Sequence, residues 1–135
     1  MKDYTLLELI DLLNKKVYTS CDLVNMYLKQ IQTFDPKLNA VAEINPDALS
    51  IAQERDAERE KGILRSPLHG IPILIKDNIN TNDLMHTTAS SLALADLHAN
   101  YQATIVDKLY EAGAVLLGKT NLSEFAYFMS TDKMP

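Results

Sequence analysis

Leu6, Leu9, Ile10, Leu13 and Val17 recur at intervals of three and four, which places them on one face of a helix. Thr5 and Glu8 stand at capping-box spacing at its start. A second helix is predicted from Thr19 or Ser20, with Asp22 in its first turn. It turns Val24, Tyr27, Leu28 and Ile31 inward and stops near Asp35-Pro36, because the residue before a proline avoids helical backbone. Ala40–Ile44 reads as a short strand. Asn45 then caps a third helix whose first position is Pro46, and Gly62 ends it in the left-handed region. The run QERDAEREK on that helix mixes charges at spacings of three and four, the pattern of a solvated face.

The pattern changes at Ile71–Ile75. Five apolar residues without alternation predict a strand buried on both faces, as in a parallel sheet, with Pro72 at its beginning. Residues 80–102 hold many Thr, Ser, Asn and His and read as loop with one short helix. Ala103–Ala112 is helical, with Val106, Leu109 and Tyr110 on one face and Gly113 as the stop. Ala114–Leu117 repeats the buried-strand pattern, and Asn121 with Glu124 caps a further short helix. The two apolar runs belong to one sheet. Helix, strand and loop alternate, so the fold class is α/β, with helices packed on a mixed or parallel sheet. Residues 1–135 show no repeat and no linker and form one domain or part of one.

Charge narrows the partners. Thirteen Lys and Arg against eighteen Asp and Glu leave a net charge of −5, which disfavours nucleic acid because phosphate binding needs clustered positive side chains. No apolar run approaches the roughly 18 residues of a membrane span, and Met1-Lys2-Asp3 starts no signal peptide. Cys21 is the single cysteine, so it has no internal disulfide partner, and a cytoplasmic location suits it. It lies in the first turn of a predicted helix, where a helix dipole lowers a thiol pKa; a buried, inert thiol is the simpler reading.

Gly113–Thr120 is a formal match to the phosphate-binding pattern G-x-x-x-x-G-K-[ST]. Its middle residues, Ala-Val-Leu-Leu, are the best strand in the region, and a strand uses its amides in the ladder rather than as a phosphate cradle. The nucleotide reading is rejected. His69, His86 and His98 are scattered without ligand spacing, so no metal is expected, and no cofactor. Lys76 is more informative. It is the first polar residue after Ile75, at the carboxyl end of a predicted strand, where open α/β sheets place ligands. A lysine desolvated there loses its proton readily and can serve as a base. Pattern alone also admits a lysine that reaches to water beside Asp77.

Leu68-His-Gly-Ile-Pro-Ile-Leu-Ile-Lys76-Asp-Asn78 and Ala112-Gly-Ala-Val-Leu-Leu-Gly-Lys-Thr-Asn121-Leu-Ser-Glu-Phe125 resemble the amino-terminal part of the amidase signature family. Thr19-Ser20 to Val41, Thr87–Ser91 and Tyr101–Thr104 match in the same order, so the resemblance covers nearly the whole chain. It implies hydrolysis of amide C–N bonds by a serine nucleophile, a second serine in a cis peptide and a lysine base. The base falls on Lys76. Tyr127, Phe128, Met129 and Ser130 match a segment that borders the substrate pocket, with a plain packing helix as the other reading.

The resemblance also implies that both serines lie downstream of Pro135, so the chain is expected to be a truncated amino-terminal portion of an amidase domain, inactive alone. Its partners would be a small amide substrate in the full-length enzyme and a second copy of itself, since sheet edges and helix faces would otherwise meet water. Asn121–Ser130 looks closer to stand-alone and peptide amidases than to the amidotransferase component that transamidates aminoacylated tRNA. That component stays as one alternative, and a non-catalytic partner-binding module as another.

Overall fold

The computed structural model describes residues 3–127. Helix α1 spans Leu6–Asn14 and α2 spans Ser20–Leu38. Strand β1 (Val41–Ile44), helix α3 (Ala48–Glu60) and strand β2 (Pro72–Lys76) follow. Helix α4 (Thr104–Glu111) and strand β3 (Val115–Thr120) complete the regular elements. Single 3₁₀ turns lie at Leu92–Leu94 and Glu124–Ala126.

The first two helices start as expected, each on a reciprocal capping box, Thr5 with Glu8 and Thr19 with Asp22. Their ends differ from expectation. Val17 lies beyond α1 and is exposed, and α2 continues through Pro36 to Leu38. Pro36 has no N–H for the Gln32 carbonyl, but both residues are exposed, so water can satisfy that acceptor. Asp35 then closes the end: its carbonyl accepts from Asn39 N, and its carboxylate accepts from the amides of Ala40 and Val41. Asn45 does not cap α3 from Pro46. Asp47 holds the cap position, while buried Asn45 accepts from Asp47 N and donates to the Leu116 carbonyl.

The strands form one mixed sheet in the order β1-β3-β2, with β1 antiparallel and β2 parallel to β3. The two apolar runs therefore do pair. Central β3 is buried from Val115 to Lys119, but β2 is an edge strand among the described residues. Only Ile75 of β2 is buried, so the expectation of cover on both of its faces is corrected. Helices α2 and α3 cover one face through Val24, Ala48, Ala52, Val115 and Leu117. On the other face Val106 of α4 packs with Ile75, Met85 and Leu116. A third cluster, Leu9, Leu13, Leu23 and Ile71, joins α1 and α2 to the start of β2.

The charge run on α3 is not a plain solvated face. Arg55 is buried and pairs with Glu58 at 2.8 Å. Arg59 donates to the His69 carbonyl at 2.8 Å and to Asn14 Oδ1 at 3.0 Å. Asp56 accepts from the amides of Ser20 and Cys21, two free donors at the start of α2. Burial and the Asp56 carboxylate push the Cys21 thiol up to about 11, opposite to the helix-dipole expectation. The Gly113–Thr120 motif is strand from Val115 onward, not a phosphate-binding loop. Gly118 is needed for contact rather than for phosphate: a Cβ there would drive into the Glu43 carbonyl of β1.

Candidate active site

The parallel strands β2 and β3 run in the same direction, and their carboxyl ends lie side by side, with Lys76 paired to Thr120 and Ile75 to Lys119. Two segments rise from these ends: residues 77–91 after β2, and residues 121–127 after β3. Lys76 is the last residue of β2 and is exposed. Asp77, directly after it, is buried. Its carboxylate accepts from the amide and hydroxyl of Thr88, its amide donates to the Thr120 carbonyl, and its own carbonyl accepts from Ala89 N.

The two segments are stitched to each other. Phe125 N donates to the Ala89 carbonyl at 2.9 Å. The Ser90 hydroxyl reaches Asn121 Oδ1 at 2.9 Å, and the Ser91 hydroxyl reaches Glu124 Oε1 at 2.6 Å. Asn121 and Glu124 are thus used across the segments, and the turn at Glu124 has Ser123 at its cap position without a side-chain bond, so the predicted helix cap is corrected. Ala89, Ser90, Phe125 and Ala126 all have φ between 49° and 59°. Left-handed backbone costs a non-glycine residue about 1–2 kcal/mol, and two adjacent pairs of them mark this end of the sheet as strained.

Tyr127 is exposed, and its amide donates to the Glu124 carbonyl. Phe128, Met129 and Ser130 lie outside the described residues. The three histidines form no metal cluster among the described residues. His69 is buried at the opposite end of β2, with Nε2 2.9 Å from the Arg55 carbonyl. His86 faces Glu43 at 3.0 Å and stacks against His98 with ring centres 4.1 Å apart. Beside them lies a cleft of about 310 Å³ between β1 and the 77–91 segment, lined by Ala42, Glu43, Asp77, His86, Thr88 and Ala95.

Sequence reasoning missed Lys119. It is fully buried in β3, and its ammonium donates to the Ile79 carbonyl and to the Thr87 hydroxyl, both at 2.9 Å. Burial pushes its pKa below the ordinary lysine value, while Asp77, Asp83 and Glu43 pull the other way. Side chains alternate across a strand, so the pairing of Ile75 with Lys119 sends Lys76 and Lys119 to opposite faces. Among the described residues Lys119 is the fully buried lysine, while Lys76 is exposed. The signal of Lys119 in the sequence was a lysine one glycine beyond the second apolar run, inside the strand rather than at its end.

The model of the family described as Amidase matches residues 22–135. A native peptide amidase from Stenotrophomonas maltophilia superposes with a TM-score of 0.90 at 47% identity, over 96% of this chain and 27% of that one. A protein of Arabidopsis thaliana named a probable amidase is 48% identical over 87% of this chain and 23% of its own length. An amidase family protein from Bacillus anthracis superposes with a TM-score of 0.89 at 39% identity, over 97% of this chain and 26% of that one. The chain spans about a quarter of the length of these relatives. With the family model matched over most of its residues and the same partial α/β fold in solved relatives, the chain belongs to the amidase family.

Proposed function

We propose that this chain supplies the base of an amide-hydrolysing enzyme, with Lys76 as that base. The observation that carries the reading is the position of Lys76: at the carboxyl end of a parallel strand, flanked by a buried, fully hydrogen-bonded Asp77 and by strained turns. Among the described residues its side chain has no hydrogen bond, which leaves it able to receive a proton once the remaining three-quarters of such an enzyme excludes water around it.

The chemistry follows the serine–serine–lysine scheme implied by the family. Neutral Lys76 Nζ takes a proton from a bridging serine hydroxyl, and that serine takes the proton of the nucleophilic serine. The nucleophile adds to the amide carbon, backbone amides hold the oxyanion, and the C–N bond breaks as the leaving nitrogen is protonated. Water then releases the acyl group. Neither serine of that scheme is assigned to a residue of this chain: Ser90 and Ser91 are engaged with Asn121 and Glu124. The chain alone is therefore inactive on this reading, and Tyr127–Ser130 border the substrate in the completed enzyme. No cofactor or metal takes part in this scheme.

The test is a chimera in which this chain replaces the matching quarter of the S. maltophilia peptide amidase. It should hydrolyse peptide amides, and Lys76→Met should abolish turnover while the isolated chain shows none. Full turnover by the Lys76→Met chimera would remove the assignment.

A further inference from the structure

The carboxyl end of β2 is held from two sides. Asp77 draws in Thr88 and Ala89, as described. The stretch between, residues 79–87, leaves the sheet and returns to it, and a loop of this length left to itself samples many conformations. Its two ends meet at one group: the Lys119 ammonium, which donates to the Ile79 carbonyl and the Thr87 hydroxyl. Lys119 is fully buried, and no carboxylate lies within salt-bridge distance among the described residues. A bare ion pair would need only a surface. A buried ammonium that ties a carbonyl to a hydroxyl eight residues further along the chain is a clamp, because each acceptor alone would leave a buried donor short of partners.

Resting on the assignment of Lys76 as base, we propose that Lys119 is a positioning residue: from beneath the sheet it closes the 79–87 loop and so fixes the Lys76-Asp77 strand end that presents the base. The link is short. Thr87, held by Lys119, precedes Thr88, which is held by Asp77, and Asp77 follows Lys76. Loosening the first contact frees Thr88 to leave Asp77, and the buried carboxylate then loses the donors that keep it in place.

Lys119→Met keeps the length of the side chain and removes its donors. In the isolated chain, hydrogen exchange should accelerate by about tenfold or more at the Thr88 and Ala89 amides, with the Val115–Leu117 amides changed by less than about twofold. In the peptide amidase chimera, kcat should fall by roughly 10- to 100-fold with KM within about twofold, the signature of a misplaced group rather than lost binding. Thr87→Ser, which keeps the acceptor, should retain activity, and Thr87→Val should lose part of it. Unchanged exchange at Thr88 and Ala89 would overturn the clamp, and an unchanged kcat would overturn the positioning role. So would exchange accelerated equally in β3, since that reports general destabilisation. The two assignments fail separately: turnover surviving Lys76→Met removes the base, whereas loop loosening in Lys119→Met without a kcat effect removes the positioning role.

Discussion

The two ends of the parallel strand pair are built on opposite principles. At the amino end of β2, His69 is buried beside Arg55, Glu58, Arg59 and Arg65, and the turn into the strand uses Gly70 at φ +82°. Gly113, at φ +83°, packs directly on His69. Special backbone here is carried by glycine, and charge is latched by neighbouring charge. At the carboxyl end the special backbone is carried by Ala89, Ser90, Phe125 and Ala126, and Lys76 points its charge into the open. The amino end is relaxed and closed, and the carboxyl end is strained and open. Strain is tolerated where surrounding contacts over-determine it, and such places carry chemistry. The contrast supports the proposed placement of the base at the carboxyl end.

The sharpest way to break the contrast is Lys76→Met. Turnover of the completed enzyme should drop by at least about a thousandfold, within the range of a lost general base, while the stability of the isolated chain stays within about 0.5 kcal/mol. A large fall in the denaturation midpoint would make Lys76 a structural residue, like those at the other end. Next in size is Gly70→Ala. Its Cβ would meet the Ser20 hydroxyl, and the alanine would have to hold the positive φ of this position, so a loss of about 2–4 kcal/mol is expected in denaturant unfolding. A loss under about 1 kcal/mol would show that the closed end adjusts.

A third measurement uses pH. Burial holds the His69 pKa below its ordinary 6.5, against the opposing pull of Glu58. The unfolded chain then binds more protons than the folded one just below that value. The stability contribution of neutral His69 is present above about pH 6.5 and is lost as pH falls toward the lower folded value. His69→Gln should flatten that slope in thermal melts between about pH 7 and 5. An unaltered slope would place its origin elsewhere. The smallest effect belongs to Ala89→Gly. Relief of left-handed strain, about 1–2 kcal/mol, slightly exceeds the entropic cost of glycine, about 0.5–1 kcal/mol. Stability should rise by less than about 1 kcal/mol, and a fall would mean that the open end is not strained at Ala89.

Much of the frame was legible because it rests on local rules. The capping box at Thr5, the helix start at Thr19 or Ser20, the left-handed stop at Gly62 and the two apolar strands follow from spacing and were found in place. What escaped depends on partners far along the chain. Asp56 serves the start of α2 from 36 residues away, so no window on the α3 charge run reveals that it faces inward. Lys119 meets Thr87 across 32 residues, and only the fold makes a lysine in a strand into a buried donor. The Lys76 position was legible from the end of an apolar run and from the family resemblance. Its exposure was one of the two readings the pattern admitted, a lysine reaching to water at a strand end.

The irregularity between β2 and β3 has a consequence for charge. Ile73 pairs with Leu116 and Leu74 with Gly118, so Leu117 is one residue in excess on β3. Were Leu117 paired with Leu74 instead of bulged, the ladder would continue one step earlier, and Lys76 would face Lys119 directly on the same side. Like charges directly opposite each other on neighbouring strands repel, and here one of them would also have to share a buried position with the other. The bulge shifts the phase of β3 by one, which gives one lysine to water and the other to the interior. Regularising the ladder with Leu117 kept would bring the two ammonium groups onto one face, whereas deleting Leu117 would remove the bulge and leave Ile75 opposite Lys119.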